Sequence, residues 1–219
     1  TYDGAPKAIT ATTVPAGLTT TITYDGSTTH PTDAGDYAVT GTVNDANYEG
    51  ASSGTLTISK AEQTLTPATL VSKQYGDAPF TVSATATSGL PVTITVASGP
   101  ATISDGTVTL TGAGNVTLSY EQGGNGNWKP ASTTRTFAVA KGNQSITFPT
   151  IPAKTFGDVD FTLGATAGSG LAVSYTVTSG PATIAGNTVH LTGAGTVNIT
   201  AAQPGDDNWN GAASTSHTF

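Results

Sequence analysis

Residues 98–120 read SGPATISDGTVTLTGAGNVTLSY, and residues 179–201 read SGPATIAGNTVHLTGAGTVNITA. The two stretches lie 81 positions apart within a longer gapless match of Gln63 through Trp128 to Gln144 through Trp209. A self-match at fixed spacing marks successive copies of one structural unit, so the copy is what must be read. Inside it the apolar residues alternate: Val108 and Leu110, then Val116, Leu118 and Tyr120, against Val189 and Leu191, then Val197 and Ile199. Alternation places one side-chain row on a buried face and the other in solvent, which predicts half-buried strands.

The same rhythm extends outward. Phe80, Val82, Ala84 and Ala86 form a row, as do Val92, Ile94 and Val96; the second copy repeats these as Phe161, Leu163, Ala165, Ala167 and Val173, Tyr175, Val177. Turns such as Ser88-Gly89 and Gly112-Ala113-Gly114 interrupt the chain every eight to twelve residues or so, the spacing of a sandwich or barrel. No stretch holds a helical period over three turns. Residues 1–60 carry a more distant version, with alternating segments around Leu18–Tyr24 and Tyr37–Val43 and a closing strand Gly54-Thr55-Leu56-Thr57-Ile58. Its late turn Asp45-Ala46-Asn47-Tyr48 corresponds to Asn125-Gly126-Asn127-Trp128 and Asp206-Asp207-Asn208-Trp209. The expected domains are 1–60, 61–141 and 142–219. The first is shorter by about one strand, and its opening strand is expected before Thr1, so the chain reads as a piece of a larger protein. The joints Ser59-Lys60-Ala61-Glu62 and Ala140-Lys141-Gly142-Asn143 are short and lack flexible Gly/Ser runs, which favours a semi-rigid rod of at least ~90 Å from compact units of roughly 30 Å each.

Composition agrees with strands. Charged residues make up 10% of the 219, against roughly 25% in an average soluble domain, while the β-branched Thr and Val suit a pleated surface. Fourteen Asp plus Glu against seven Lys plus Arg give a net charge of -7. That balance repels phosphate backbones and anionic lipid, so nucleic acid is not an expected partner. No apolar run approaches the ~20 residues of a membrane span. The absence of cysteine removes disulfides and thiolate metal sites, and suits exported bacterial proteins that fold without disulfides.

The run Tyr2-Asp3-Gly4-Ala5-Pro6-Lys7, followed by Thr23-Tyr24-Asp25-Gly26, Asp33-Ala34-Gly35-Asp36-Tyr37 and Asn47-Tyr48-Glu49-Gly50, resembles the MBG domain, a family of β-rich repeats in large bacterial surface and secreted proteins. Residues 61–219 resemble its sister type, through Tyr75-Gly76-Asp77 and Phe156-Gly157-Asp158, with Phe156 departing from the motif tyrosine. The resemblance implies three tandem immunoglobulin-like β-sandwich domains in an elongated rod, at the bacterial cell surface or secreted. It brings no catalytic set with it.

Candidate sites are few. Gly50-Ala51-Ser52-Ser53-Gly54 fits the pattern of a serine nucleophile elbow, but a strand follows where the elbow needs a helix, and a loop of small residues is expected instead. His30, His190 and His217 are dispersed, His190 on the solvent side of its row. Oxygen side chains at alternate positions, Asp45, Asn47 and Glu49, and again Asp206, Asn208 and Asn210, could begin a calcium loop. Asx-turns account for the same residues without metal, and Lys129 in the middle copy opposes a cation. Trp128 and Trp209 are candidate ligand-stacking platforms, set against the alternative that each plugs the end of its sandwich, as Tyr48 would in the first domain. No cofactor other than calcium is in view. The expected function is a non-catalytic stalk whose partners are adjoining domains of the same protein; the alternative is an adhesion module that recognises glycan or a surface protein. No direct membrane insertion is expected, and the piece is expected to be monomeric.

Overall fold

The computed structural model describes Thr1 to Phe219 and is built of β-strands with no helix. The chain divides into two compact units, each drawn from three segments: Thr1–Ala68, Ser83–Thr95 and Ser119–Thr134 form one; Thr69–Val82, Val96–Leu118 and Arg135–Phe219 form the other.

The first unit opens with an antiparallel sheet of β1 (Thr20–Tyr24), β2 (Gly35–Val43) and β3 (Ala51–Ile58) in that order. Tyr24 pairs across to Val39, and both are buried with Ile58, so the alternating rows do form the core face. The Tyr24 hydroxyl accepts the Ile9 N–H at 2.9 Å, which ties the preceding irregular segment to the sheet. The small-residue run expected as a loop is instead part of β3, where Ser52 pairs with Gly41 and Ser53 with Thr40. Small residues fit this paired backbone as well as they fit a loop, so the pattern carries no nucleophile geometry.

The next strands are β4 (Leu65–Pro67), β5 (Lys73–Gln74), β6 (Phe80–Thr81), β7 (Ala84–Ala86), β8 (Thr93–Ser98), β9 (Ala101–Ser104), β10 (Thr107–Leu110), β11 (Gly114–Gln122) and β12 (Ala131–Ala140). The single row Phe80–Ala86 divides between two sheets. β7 pairs with β4, whereas β6 joins a sheet ordered β6-β10-β9. Alternation survives the change because Phe80, Val82, Ala84 and Ala86 all stay at least half-buried. A four-stranded sheet runs β5-β12-β11-β8, with β5 parallel to the end of β12.

The second unit ends with β13 (Ile146–Thr147), β14 (Phe161–Thr162), β15 (Thr166–Ala167), β16 (Ser174–Ser179), β17 (Ala182–Ala185), β18 (Thr188–Leu191), β19 (Asn198–Ala202) and β20 (Thr215–Thr218). Sheets β14-β18-β17 and β16-β19-β20 enclose a core of Phe148, Leu163, Val189, Val197, Ile199 and Ala201, with Tyr175 and Ile184 packed against it. This is a two-layer sandwich whose inward residues are those of the alternating rows. The bend into β17 requires glycine: Gly180 sits at φ 100°, and a Cβ there would lie 2.3 Å from the Thr196 carbonyl oxygen. Gly99 has the same geometry in the preceding copy, at φ 98° and 2.2 Å from the Asn115 oxygen. The SGP motif therefore marks a place where two backbones meet without a side chain between them.

Candidate functional site

The late turns and the short joints meet. Around Lys60–Lys129, Ala61 donates its N–H to the Asn127 carbonyl at 2.8 Å and accepts from Lys129 N–H at 2.9 Å, while Lys60 Nζ donates to the Asn125 carbonyl at 2.7 Å. Eighty-one positions on, Gly142 donates to the Asn208 carbonyl at 2.8 Å and accepts from Asn210 N–H at 2.8 Å, while Lys141 Nζ donates to the Asp206 carbonyl at 2.6 Å. Each joint thus becomes a short strand-like bridge onto the turn. Beneath it lies an amide pair, Gln63 Nε2 to Gln122 Oε1 in one joint and Gln144 Nε2 to Gln203 Oε1 in the other. Serine hydroxyls, Ser88 and Ser169, donate to the first glutamine of each pair. Buried amides bonded in this way hold one register and resist slippage.

Each turn also reaches the loop of the preceding copy. Asn127 Oδ1 accepts the Ala34 N–H at 2.8 Å, and its Nδ2 donates to Asp33 Oδ1 at 2.9 Å. Asn208 Oδ1 accepts the Ala113 N–H at 2.9 Å, and a Cβ on Gly112 would stand 2.9 Å from that same oxygen. The tryptophans follow. Trp128 sets its ring edge to face with Tyr2, centroids 5.7 Å apart at 78°; Trp209 does so with Tyr75, 5.3 Å apart at 73°. Trp209 also covers Gly142 so closely that a Cβ there would come within 2.5 Å of the ring. Both tryptophans are half-buried. They are clamps between one copy and the loop before it, a role different from the end plug expected of them. Tyr48, expected to plug the first domain, is 49% exposed.

The candidate calcium residues are engaged in turn geometry. Asp206 Oδ1 accepts the N–H groups of Asn208 and Trp209, both at 2.8 Å, and Asp45 Oδ1 accepts that of Asn47 at 2.8 Å. Asn125 does the same for Asn127 and Trp128, which is the Asx-turn in all three copies. The side-chain oxygen of Asn208 faces Ala113, Asn210 Nδ2 donates to Asn143 Oδ1 at 2.9 Å, and Glu49 is exposed. No three His, Cys, Asp or Glu side chains gather into a metal-holding group. His190 is exposed, with Nδ1 2.7 Å from Asp160 Oδ1.

A side-chain ion pair closes the first joint only. Lys129 Nζ lies 2.5 Å from Glu62 Oε1, whereas the equivalent positions in the second joint are the amides Asn210 and Asn143. Beside Tyr2, the Lys7 ammonium bonded to Asp3, helped by the Ala5 N–H, holds the Asp3 carboxyl below the usual carboxylate range. Sequence reasoning missed Tyr2, Tyr75, Asn127 and the glutamine pair as working parts. Their signal was present, since Lys60, Gln63, Ser88, Gln122 and Asn127 all recur at the 81-residue offset while neighbouring polar positions change.

Among solved structures, mouse protocadherin-24 EC1-3 is similar at 16% identity, covering 98% of this chain and 93% of that one with a TM-score of 0.39. The titin I-band fragment I67-I69 follows at 10% identity, 92% and 87% coverage and TM-score 0.34. The surface layer protein SbsC, domains 4-9, gives 17% identity, 91% and 38% coverage and TM-score 0.28. A search of curated proteins returns no match. The family comparison is the one that meets the motifs: residues 1–62, with their Tyr2-Asp3-Gly4 opening, match the model of the MBG domain and are similar to that family.

Proposed function

We propose that this chain is a non-catalytic spacer of an extracellular bacterial surface or secreted protein, holding successive β-domains in fixed register. The observation that carries this reading is the duplicated joint. The same lysine, glutamine pair, asparagine and tryptophan lock both connections, although the polar residues around them differ. A connection that served only as a tether would have no use for buried amides and an aromatic clamp. The MBG match of residues 1–62 supports a repeat-domain context. The adhesion reading rests on a different feature, a groove of about 360 Å³ beside the first sheet, lined by Ile9, Ile22, Val39 and Leu56 among hydroxyl residues.

Small-angle scattering tests the spacer. Three domains of roughly 30 Å in line predict a maximum dimension of at least ~90 Å. A compact globular envelope would overturn it. A glycan array with calcium present is expected to be silent; saturable binding that Ile22→Asp abolishes would move the function to the groove. Unfolding midpoints are expected to coincide in EDTA and in millimolar calcium.

A further inference from the structure

The third copy repeats the receiving half of this joint on an exposed surface. Phe156 stands where Tyr75 meets Trp209, yet it is 59% exposed. Thr192-Gly193-Ala194-Gly195 repeats Thr111-Gly112-Ala113-Gly114; Gly112 is buried and Ala113 half-buried under Asn208, whereas Ala194 is exposed and its N–H has no partner. Between these groups lies a pocket of about 210 Å³, lined by Lys154, Phe156, Leu191, Gly193, Ala194 and Phe219.

The exposed receiver already has the shape of the filled one. Asp158 Oδ2 accepts the Thr155 N–H at 2.9 Å as Asp77 Oδ2 accepts that of Gln74 at 2.9 Å. Gly157 and Gly76 share φ values of 101° and 94°, and Gly195 and Gly114 share 145° and 136°. Lys154 lies 4.7 Å over Phe161 as Lys73 lies 4.6 Å over Phe80. A preformed site lowers the ordering cost of whatever docks there.

We propose that this surface, Phe156 with the Gly193–Gly195 loop, is a docking site for the Asp-x-Asn-Trp turn of a further repeat of the 142–219 type, joined directly behind it. The asparagine of that turn accepts the Ala194 N–H, its tryptophan covers Phe156 and Gly157, and a glycine in the place of Gly142 lets the ring approach. The choice of occupant follows from the loop. The Gly-Ala-Gly receiver holds Asn208 and Trp209 in the filled joint, whereas the Asp33-Ala34-Gly35 receiver holds Asn127 through an extra bond to Asp33. The inference goes beyond the spacer reading, which would survive its failure.

The test appends residues 138–219 after Phe219, as Ala138 follows Phe137, and follows backbone amide exchange by NMR in the 219-residue chain and in the extended one. Ala194 is expected to exchange at least about tenfold more slowly in the extended chain, approaching Ala113, which serves as the internal control for folding. A companion extension, Ala138–Ala140 followed by Lys60–Ala140, presents Asn127 and Trp128 to the same receiver and covers the case in which the first appended copy does not fold. Ala194 exchanging at its original rate in a folded extension would overturn the proposal. Concentration-dependent protection of Ala194 in the unextended chain would also overturn it, in favour of a second copy docking through its Asp45–Tyr48 turn. Scattering on the unextended chain reads the spacer function separately.

Discussion

The joint around Lys60 and the joint around Lys141 are built on the same hydrogen-bonded frame and finished differently. The first places Ala61 under its tryptophan, gives Asn127 two partners and sets Lys129 against Glu62. The second places Gly142 there, gives Asn208 one partner through its oxygen and sets amide against amide. The shared glutamines, asparagine and tryptophan are buried or half-buried and fix register, while the ion pair of one joint and the amide pair of the other are exposed. Two copies of one connection retain this frame and vary the exposed polar pair, together with one buried position, Ala61 against Gly142.

Four substitutions separate frame from finish. Truncating a fully buried aromatic costs about 3–5 kcal/mol, so the half-buried Trp128→Ala and Trp209→Ala are each expected to cost about 2 kcal/mol in denaturant unfolding of the whole chain. Equal losses sustain the equivalence of the joints; a loss confined to one would break it. Gly142→Ala forces a methyl group against the Trp209 ring and the Tyr75 carbonyl, and overpacking of this kind costs about 1–3 kcal/mol. The reverse change, Ala61→Gly, is expected to cost only about 0.5–1 kcal/mol through backbone entropy. If Gly142→Ala were neutral, the second joint would have the same slack as the first.

Asn127→Ala removes two hydrogen bonds and Asn208→Ala one, for about 2 and about 1 kcal/mol at roughly 1 kcal/mol per bond, and amide exchange at Ala34 and Ala113 reads the two separately. The smallest effect is electrostatic. Glu62→Gln is expected to cost under about 1 kcal/mol and to remove the salt sensitivity of the first joint, while Asn143→Ala leaves the second as salt-insensitive as before. Acid acts in the same direction near the first joint. The folded Asp3 carboxyl titrates below its ordinary value, so its contribution is present above that ordinary value and lost as pH falls through the lower one. Scanning calorimetry between about pH 5 and pH 2 of Asp3→Asn against the parent chain is expected to show a smaller loss of stability on acidification.

The strands were legible because alternation needs only local spacing. Val108, Val116, Leu118, Val189, Val197 and Ile199, named from their rows, are all buried essentially completely. The Asx-turns were legible for the same reason, since an Asp or Asn bonds its own backbone two residues on. The clamp was only half legible. Trp128 and Trp209 stood out by position, but their partners Tyr2 and Tyr75 lie more than a hundred residues away, and no short-range pattern says which loop a turn will meet.

Composition, the 81-residue repeat and the alternating rows were therefore enough for an all-β chain of repeated modules, because each of those signals is set within a few residues of backbone. Only the folded chain decided that Phe80–Ala86 divides between two sheets, that Tyr48 stays exposed, and that Asn127 and Asn208 face the loop before their own copy. Those outcomes depend on which buried polar group finds a partner in a neighbouring copy, and that is settled by the closing of long loops and the exclusion of water.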